Sequence, residues 1–251
     1  MGEKKSNYDA SSLKILKGLD PVKKRPGMYI GSTDWRGTHH LVWEIVDNAI
    51  DEAIAGYGKK ITVTIHSDGS ISVQDEGRGI PCDYNEKEKM EGLDIVFCTL
   101  HGGGKFDASN YKTSAGLHGV GSACANALSE WLKVTVYKDG KEYFASYKNG
   151  GNKDVKTTLV GETTKRGSIV TFKPDKKILT EPEFKFDLIA ERLDNSACQC
   201  NGVKFILIDE RTNQKKEFLY TEGIKEYLAN KNKNHQGVNP IVFFEDDKSE
   251  I

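Results

Sequence analysis

The stretch His39-His40-Leu41-Val42-Trp43-Glu44-Ile45-Val46-Asp47-Asn48-Ala49-Ile50-Asp51-Glu52-Ala53-Ile54 decides how the rest of the chain reads. Its apolar positions, Leu41, Val42, Ile45, Val46, Ala49, Ile50, Ala53 and Ile54, recur at helical spacing and fill a little over half of a helix. His40, Glu44, Asn48 and Asp51 fall within about 80° of one another on the remaining side, and Gly56 and Gly58 end the helix. Side chains four positions apart are neighbours on a helix surface, so His40 is placed to hydrogen-bond and orient Glu44. A glutamate held in this way polarises a water by positioning it. Asn48 offers a neutral oxygen, a suitable hard ligand for Mg²⁺. An aspartate at that position would bind the metal more strongly but would repel phosphates.

Two alternating runs follow, Ile61 to Ile65 and Ile71 to Val73, joined by Ser67-Asp68-Gly69-Ser70; they read as a hairpin with an Asp-Gly turn. The second run leads into Asp75-Glu76-Gly77-Arg78-Gly79. A carboxylate at that strand end can accept a hydrogen bond from an exocyclic amine, which selects adenine over guanine, and Gly77 and Gly79 let a base and sugar approach the backbone. For Arg78 a salt bridge to Glu52 across the pocket rim is the preferred reading. Further on, Gly116-Leu117-His118-Gly119-Val120-Gly121 precedes a helix over Ser122 to Leu128, so successive N–H groups can cradle an anion. The spacing is not the Walker pattern, and the run does not follow a strand as a Rossmann turn would. Gly102-Gly103-Gly104-Lys105 and Lys112 add cations. From His101 to Gly121 there are roughly twenty residues without periodicity, a length that in a compact domain is usually functional or mobile. Together these segments supply the parts of a nucleoside triphosphate site.

The remaining text fills out the fold. Residues 1–20 read as a polar arm ending in a short amphipathic turn. Pro21 and Pro26-Gly27 make Val22 to Ile30 a loop. Helices are expected at Leu93–Leu100 and Phe186–Leu193, and strands at Val134–Tyr137, Tyr143–Tyr147, Thr157–Val160, Ile169–Lys173, Val203–Ile208 and Glu217–Tyr220. The sum is an α/β (α+β) two-layer sandwich, a mixed and largely antiparallel sheet with helices on one face. The domain expected over 21–230 gives way, over 231–251, to a new apolar run at Pro240 to Phe244 that reads as the opening of another domain.

Composition narrows the function classes. At 251 residues with 37% hydrophobic content the chain can bury a substantial core. A formal charge of −1 gives no global reason to bind nucleic acid or an acidic membrane, and the runs Lys23-Lys24-Arg25 and Lys231 to Lys233 read as solvated surface. The five cysteines are scattered; Cys198-Gln199-Cys200 lacks the gap of a zinc knuckle, so all five read as reduced thiols of a cytoplasmic protein. The polar start carries no signal peptide, and no apolar run approaches membrane-spanning length.

With Glu44…Asn48, Asp75-x-Gly77-x-Gly79 and Gly116-x-x-Gly119-x-Gly121 in view, the chain resembles the GHKL superfamily of ATP-binding proteins. The flanking text, Lys24-Arg25-Pro26-Gly27-Met28-Tyr29-Ile30-Gly31, His39 to Asn48 and Tyr111 to Gly121, is similar to the B subunits of bacterial type II topoisomerases. Leu128 to Leu132, Lys148 to Gly151 and Thr171 to Asp175 lean towards the topoisomerase IV branch over the gyrase branch. The similarity runs from about Tyr8 to the end. It implies ATP and Mg²⁺ as ligands, with Glu44 as general base, His40 beside it, Asn48 as the metal ligand and Asp75 as the adenine contact. Glu52, Arg78, Gly79, Ile80, Pro81 and Ser168 would line the nucleoside end. Lys105, Lys112, Gly116, Leu117, His118, Gly119, Val120 and Gly121 would hold the phosphates, with Tyr111 near the nucleotide.

The resemblance further implies that Tyr8 belongs to an arm reaching over a partner's site, so that ATP binding closes a homodimer gate. An A-type subunit, duplex DNA and aminocoumarin inhibitors would be the other partners. A lysine from a following domain would touch the terminal phosphate, so slow hydrolysis and no DNA relaxation are expected of these 251 residues alone. Three positions depart from the family pattern. Ala115 replaces a glycine, Ser168 replaces a threonine while keeping the hydroxyl, and Lys138 replaces an arginine that contacts coumarins, without the planar fork. A chaperone or mismatch-repair clamp of the same ATP fold is disfavoured by Arg25 to Tyr29 and the Tyr111 segment. A histidine kinase would need an adjacent dimerising helix pair, and none is legible.

Overall fold

Alternation of apolar and polar residues, begun at Ile61, is what builds the sheet, and one transverse row shows how. Leu207, Val63, Val73, Val170, Val134 and Ala145 stand side by side across six neighbouring strands, and all six are buried. The structure, a computed structural model, describes residues 13, 15–103, 119–233 and 242. In chain order the elements are α1 (Asp20–Lys24), α2 (Gly27–Ile30), α3 (Trp35–Ile54), β1 (Lys60–Ile65), β2 (Ile71–Asp75), β3 (Tyr84–Asn85), β4 (Met90–Glu91) and α4 (Gly92–Cys98). They continue with α5 (Gly121–Ala127), β5 (Ser129–Lys138), β6 (Lys141–Lys148), β7 (Asn152–Glu162), β8 (Gly167–Pro174), α6 (Phe186–Gln199), β9 (Lys204–Asp209), β10 (Gln214–Phe218) and α7 (Ile224–Asn232).

Eight strands form one sheet in the order β10-β9-β1-β2-β8-β5-β6-β7, while β3 and β4 pair separately. Only β1 and β9 run parallel; the other neighbours are antiparallel. This is the mixed, largely antiparallel sheet expected. A period of two sends Ile61, Val63 and Ile65 into the core and leaves Thr62 and Thr64 on the other face. Against the apolar face α3 sets Leu41, Val42, Ile45, Val46, Ala49 and Ile50, all buried. Each large aliphatic side chain taken fully out of water contributes about 1.5–3 kcal/mol. This stripe therefore fixes the rotation of α3, and with it the direction of the opposite stripe.

Some expectations are corrected. The proline-punctuated stretch from Val22 to Ile30 is not a loop: Pro21 sits in the first turn of α1, where its missing N–H costs nothing, and α2 follows from Gly27. Helix α3 begins at Trp35, capped by Asp34, whose carboxylate accepts from the Arg36 N–H at 2.8 Å and the Ser32 hydroxyl at 2.6 Å. Asp51, read as part of the polar stripe, is fully buried, so the stripe narrows to His40, Glu44 and Asn48. Helix α6 runs six residues past Leu193, to Gln199. Helix α7 and the β3–β4 pair were not foreseen; α7 buries no residue and β3–β4 comprises two residues per strand, so neither carries a periodic signal. Tyr8 and all but Val242 of Pro240 to Phe244 lie outside the described residues. No helix among the described residues is long and apolar enough to cross a membrane.

Close packing at the start of α3 generates a stability prediction. A side-chain carbon on Gly37 would stand 1.9 Å from the Ser32 carbonyl oxygen and 2.9 Å from the Ile30 side chain. Helix propensity favours alanine by about 1 kcal/mol, but overpacking against backbone costs about 1–3 kcal/mol. Gly37→Ala is therefore expected to lower the thermal unfolding midpoint, whereas Gly161→Ala, with nothing within 4 Å, leaves it in place. A midpoint for Gly37→Ala at or above that of the parent chain would contradict the packing described.

Candidate active site

A cavity of about 890 Å³ opens between the polar stripe of α3, the turn after β2, and the start of α5. It gathers His40, Glu44, Asn48 and Glu52 from α3, Asp75, Arg78, Gly79, Ile80 and Pro81 from β2 and its turn, Gly119, Val120 and Gly121 before and at α5, and Ser168 from β8. These are the described members of the set read from the sequence. Lys105, Tyr111, Lys112, Gly116, Leu117, His118 and Tyr8 lie outside the described residues.

One end of the cavity is built where α3 meets α5. Glu44 presses against Gly121 so closely that a side-chain carbon there would stand 1.9 Å from Glu44 Oε2. The absent side chain is therefore the room in which the carboxylate sits. Four residues on, the Asn48 amide donates to Ser122 Oγ at 3.0 Å, which fixes the plane of that amide. His40 Nδ1 stands 3.7 Å from Glu44 Oε1. That is an ion-pair distance rather than a hydrogen bond, so the expectation that His40 hydrogen-bonds Glu44 is corrected: the histidine is its ion-pair neighbour when protonated, and the close contact with Gly121 also limits the carboxylate.

The other end is a half-buried carboxylate. Asp75 closes β2, and its Oδ1 accepts the Gly77 N–H at 2.7 Å. Burial pushes its pKa up from 3.8 to about 6; the nearby Glu52 carboxylate pushes the same way, against the hydrogen bonds from Gly77 and from the backbone of Ser168. Two glycines make that placement possible. A side-chain carbon on Gly77 would stand 2.8 Å from both Asp75 Oδ1 and Glu52 Cβ, and one on Gly167, at φ +104°, would stand 2.1 Å from the Asp75 carbonyl oxygen. Beside it Glu52 is clamped by Arg78, which donates from Nε to Oε2 at 3.1 Å, from Nη2 to Oε1 at 2.8 Å and from its backbone N–H to Oε2 at 2.8 Å. This is the rim salt bridge expected, and the guanidinium also lies 4.4 Å from the Tyr57 ring centre. Lys138 reaches the same rim, donating to the Arg78 carbonyl at 3.5 Å.

Sequence reasoning missed several wall residues. Ile95 and Val96 of α4 line the cavity, yet their spacing signals only a helix with an apolar side. Asn85, Glu88 and Met90 come from the short β3–β4 hairpin, whose strands are too short for any pattern. Ser122 adjoins the glycine run, but its pairing with Asn48 joins positions 74 residues apart and has no local signal. Among the described residues no group of three or more His, Cys, Asp or Glu side chains is arranged to hold a metal. The five thiols are unpaired with one another, and burial raises Cys82, Cys98 and Cys124 to about 12 and Cys200 to about 11, which makes them poor nucleophiles.

Comparison with known proteins agrees with this geometry. Residues 33–178 match the family described as histidine kinase-, DNA gyrase B-, and HSP90-like ATPase. The B subunit of DNA topoisomerase 4 from Enterococcus faecalis is 48% identical over 255 residues, covering 100% of this chain and 37% of that protein. The Streptococcus pneumoniae protein of the same name is 46% identical over 242 residues, covering 96% of this chain and 37% of its own length. The Staphylococcus aureus protein is 46% identical over 251 residues, with 99% and 38% covered. The chain thus spans little more than a third of the length of these relatives. The crystal structure of the 43K ATPase domain of Thermus thermophilus gyrase B in complex with an aminocoumarin superimposes with a TM-score of 0.78 at 35% identity, covering 88% of this chain and 57% of that one. The chain therefore belongs to the histidine kinase-, DNA gyrase B- and HSP90-like ATPase family.

Proposed function

We propose that this chain is the ATP-binding and hydrolysing part of a bacterial type II DNA topoisomerase, from a B subunit of the topoisomerase IV kind. The observation that carries the reading is the order of groups along one cavity wall. Glu52, packed beside Asp75, and Glu44, packed against Gly121, are eight positions apart on α3, about 12 Å along the helix axis. Asn48 lies midway. That separation suits an extended nucleoside triphosphate with its base at Asp75 and its terminal phosphate towards Glu44.

Each residue then has a chemical task. Ionised Asp75 accepts the exocyclic amine of adenine; guanine would turn a carbonyl oxygen towards the same carboxylate and be repelled. Asn48 would hold Mg²⁺ through its amide oxygen, and the metal supplies neutralisation of phosphate charge. Glu44 accepts the proton of the attacking water, confined by Gly121 so that little reorganisation is needed. Lys105, Lys112 and the backbone from Leu117 are assigned to the phosphates by family resemblance, as is Tyr8 to a partner's site in an ATP-bound homodimer. For the whole protein the proposed partners are duplex DNA and a subunit of the A type, with ATP binding closing a dimer gate and hydrolysis resetting it. The B subunit of gyrase is the second reading, supported by the structural likeness at 35% identity; the 46–48% identities to topoisomerase 4 proteins favour the first.

Two experiments test the assignment. Glu44→Gln is expected to cut ATP hydrolysis by about 10²–10⁴-fold while nucleotide affinity stays close to that of the parent; hydrolysis at the parent rate would remove Glu44 from the chemistry. The second concerns pH. Because the Asp75 pKa is raised to about 6, its protonated form is favoured in the folded chain, and stability from this group is lost as pH rises through that value. A ligand amine that prefers the carboxylate reverses the preference, so binding below about pH 6 must release a proton. Affinity for a non-hydrolysable ATP analogue should weaken as pH falls from about 7 to about 5, by up to about tenfold per unit, and Asp75→Asn should flatten that slope. An equal slope in the variant would show that another group titrates.

A further inference from the structure

Away from the cavity, the side of α4 turned to the sheet edge carries a half-buried ionic cluster that the reaction does not use. Asp94 is 5% exposed and lies between the cavity-lining Gly92 and Ile95. Its Oδ1 accepts the Tyr147 hydroxyl of β6 at 3.1 Å, and its Oδ2 pairs with the Lys153 ammonium of β7. Lys153 also stands 3.8 Å from Glu91, and Glu91 accepts the Thr157 N–H of β7 at 3.2 Å. Burial raises the Tyr147 hydroxyl far above its ordinary pKa, so it remains a protonated donor. An ion pair with a solvent-exposed partner adds little to stability, so stability alone is a weak reason for the cluster. What three directional bonds do achieve is to fix the placement of α4 against β6 and β7.

That placement is passed on to the site. At the end of α4 the Phe97 carbonyl accepts from the Asn126 amide of α5 at 2.9 Å, with Asn126 itself 1% exposed. Helix α5 in turn presents Gly121 to Glu44 and Ser122 to Asn48. The chain leaving α4 folds back on it: a side-chain carbon on Gly102, a cavity-lining residue, would stand 2.4 Å from the Ile95 carbonyl. At the adenine end α4 touches the rim through Gly92, where a side-chain carbon would stand 2.2 Å from the Pro81 carbonyl oxygen, but Asp75 and Ser168 themselves stand on β2 and β8.

We infer that Asp94, with Tyr147 and Lys153, is a positioning residue for the phosphate and metal end of the cavity and leaves Asp75 and Ser168, on the sheet, in place. The inference rests on the ATP reading above. It separates two kinds of ligand. A nucleoside with no phosphate samples only the Asp75 end, whereas a triphosphate samples both.

The test is calorimetric titration of the chain with adenosine and with the imido analogue of ATP plus Mg²⁺, for the parent, Asp94→Asn, Lys153→Met and Lys153→Arg. Thermal unfolding of each variant is recorded alongside. Asp94→Asn and Lys153→Met should bind the imido analogue about threefold to tenfold more weakly and adenosine unchanged, and Lys153→Arg should restore the analogue's affinity. Equal weakening of both ligands, or of neither, would overturn the inference. Lys153 is 43% exposed, so Lys153→Met decides the matter if Asp94→Asn does not fold. A parent chain that binds neither ligand would overturn the ATP reading and this inference with it; a parent that binds both, with no differential loss in the variants, overturns this inference alone.

Discussion

A carboxylate half-withdrawn from water at the end of β2 is the constraint on which the site depends. Burying Asp75 next to a second carboxylate, Glu52, is unfavourable, as its raised pKa shows. The surroundings offset the cost locally. Gly77 donates its N–H, the Ser168 backbone donates another, and Arg78 neutralises Glu52 through a two-pronged guanidinium contact. Gly77 and Gly167 are required because a side chain at either would occupy the space of Asp75 itself. A group held under these conditions gains most from a ligand that brings a hydrogen-bond donor and little water. That is a physical reason for a half-buried acid to select an aromatic amine.

The second half of the site follows from how α3 is rotated. Its apolar stripe is committed to the sheet, so the polar stripe must face α5 and the cavity. Glu44 and Asn48, one turn apart, then meet Gly121 and Ser122, adjacent at the start of α5. The two helices are thus registered by a close packing contact and a hydrogen bond. Helix α4 and the β6–β7 hairpin support that register from behind through Asp94 and Asn126. On the proposed reading, base recognition and phosphate chemistry fall to different layers, the sheet and the helices.

Much of this was legible in the residues. The period-two runs placed β1, β2, β5, β6, β8 and β9, and the 3.6-residue period placed α3, because long patterned segments dominate local preference. Glu44, Asn48, Asp75 and the Arg78–Glu52 pair were readable because chemistry-bearing side chains stood at fixed offsets from glycines. What failed had physical causes. Pro21 looked like a breaker but sits where a helix tolerates proline. Asp51 falls inside the polar stripe by the helical period, between His40 and Glu44, yet packing against other elements buries it, which periodicity alone does not record. His40 had the right spacing, but spacing cannot tell 3.7 Å from a hydrogen bond. The walls supplied by α4 and the β3–β4 hairpin depend on contacts between segments distant in sequence, which no local pattern records.

The central claim is that Asp75 reads adenine at one end of a single triphosphate cavity. Its most direct test is calorimetric titration of the chain, in Mg²⁺ at neutral pH, with non-hydrolysable analogues of ATP and of GTP. Saturable one-to-one binding of the ATP analogue, with no measurable binding of the GTP analogue at the same concentrations, is the predicted result. Equal affinity for both bases, or no binding of either, would contradict the account.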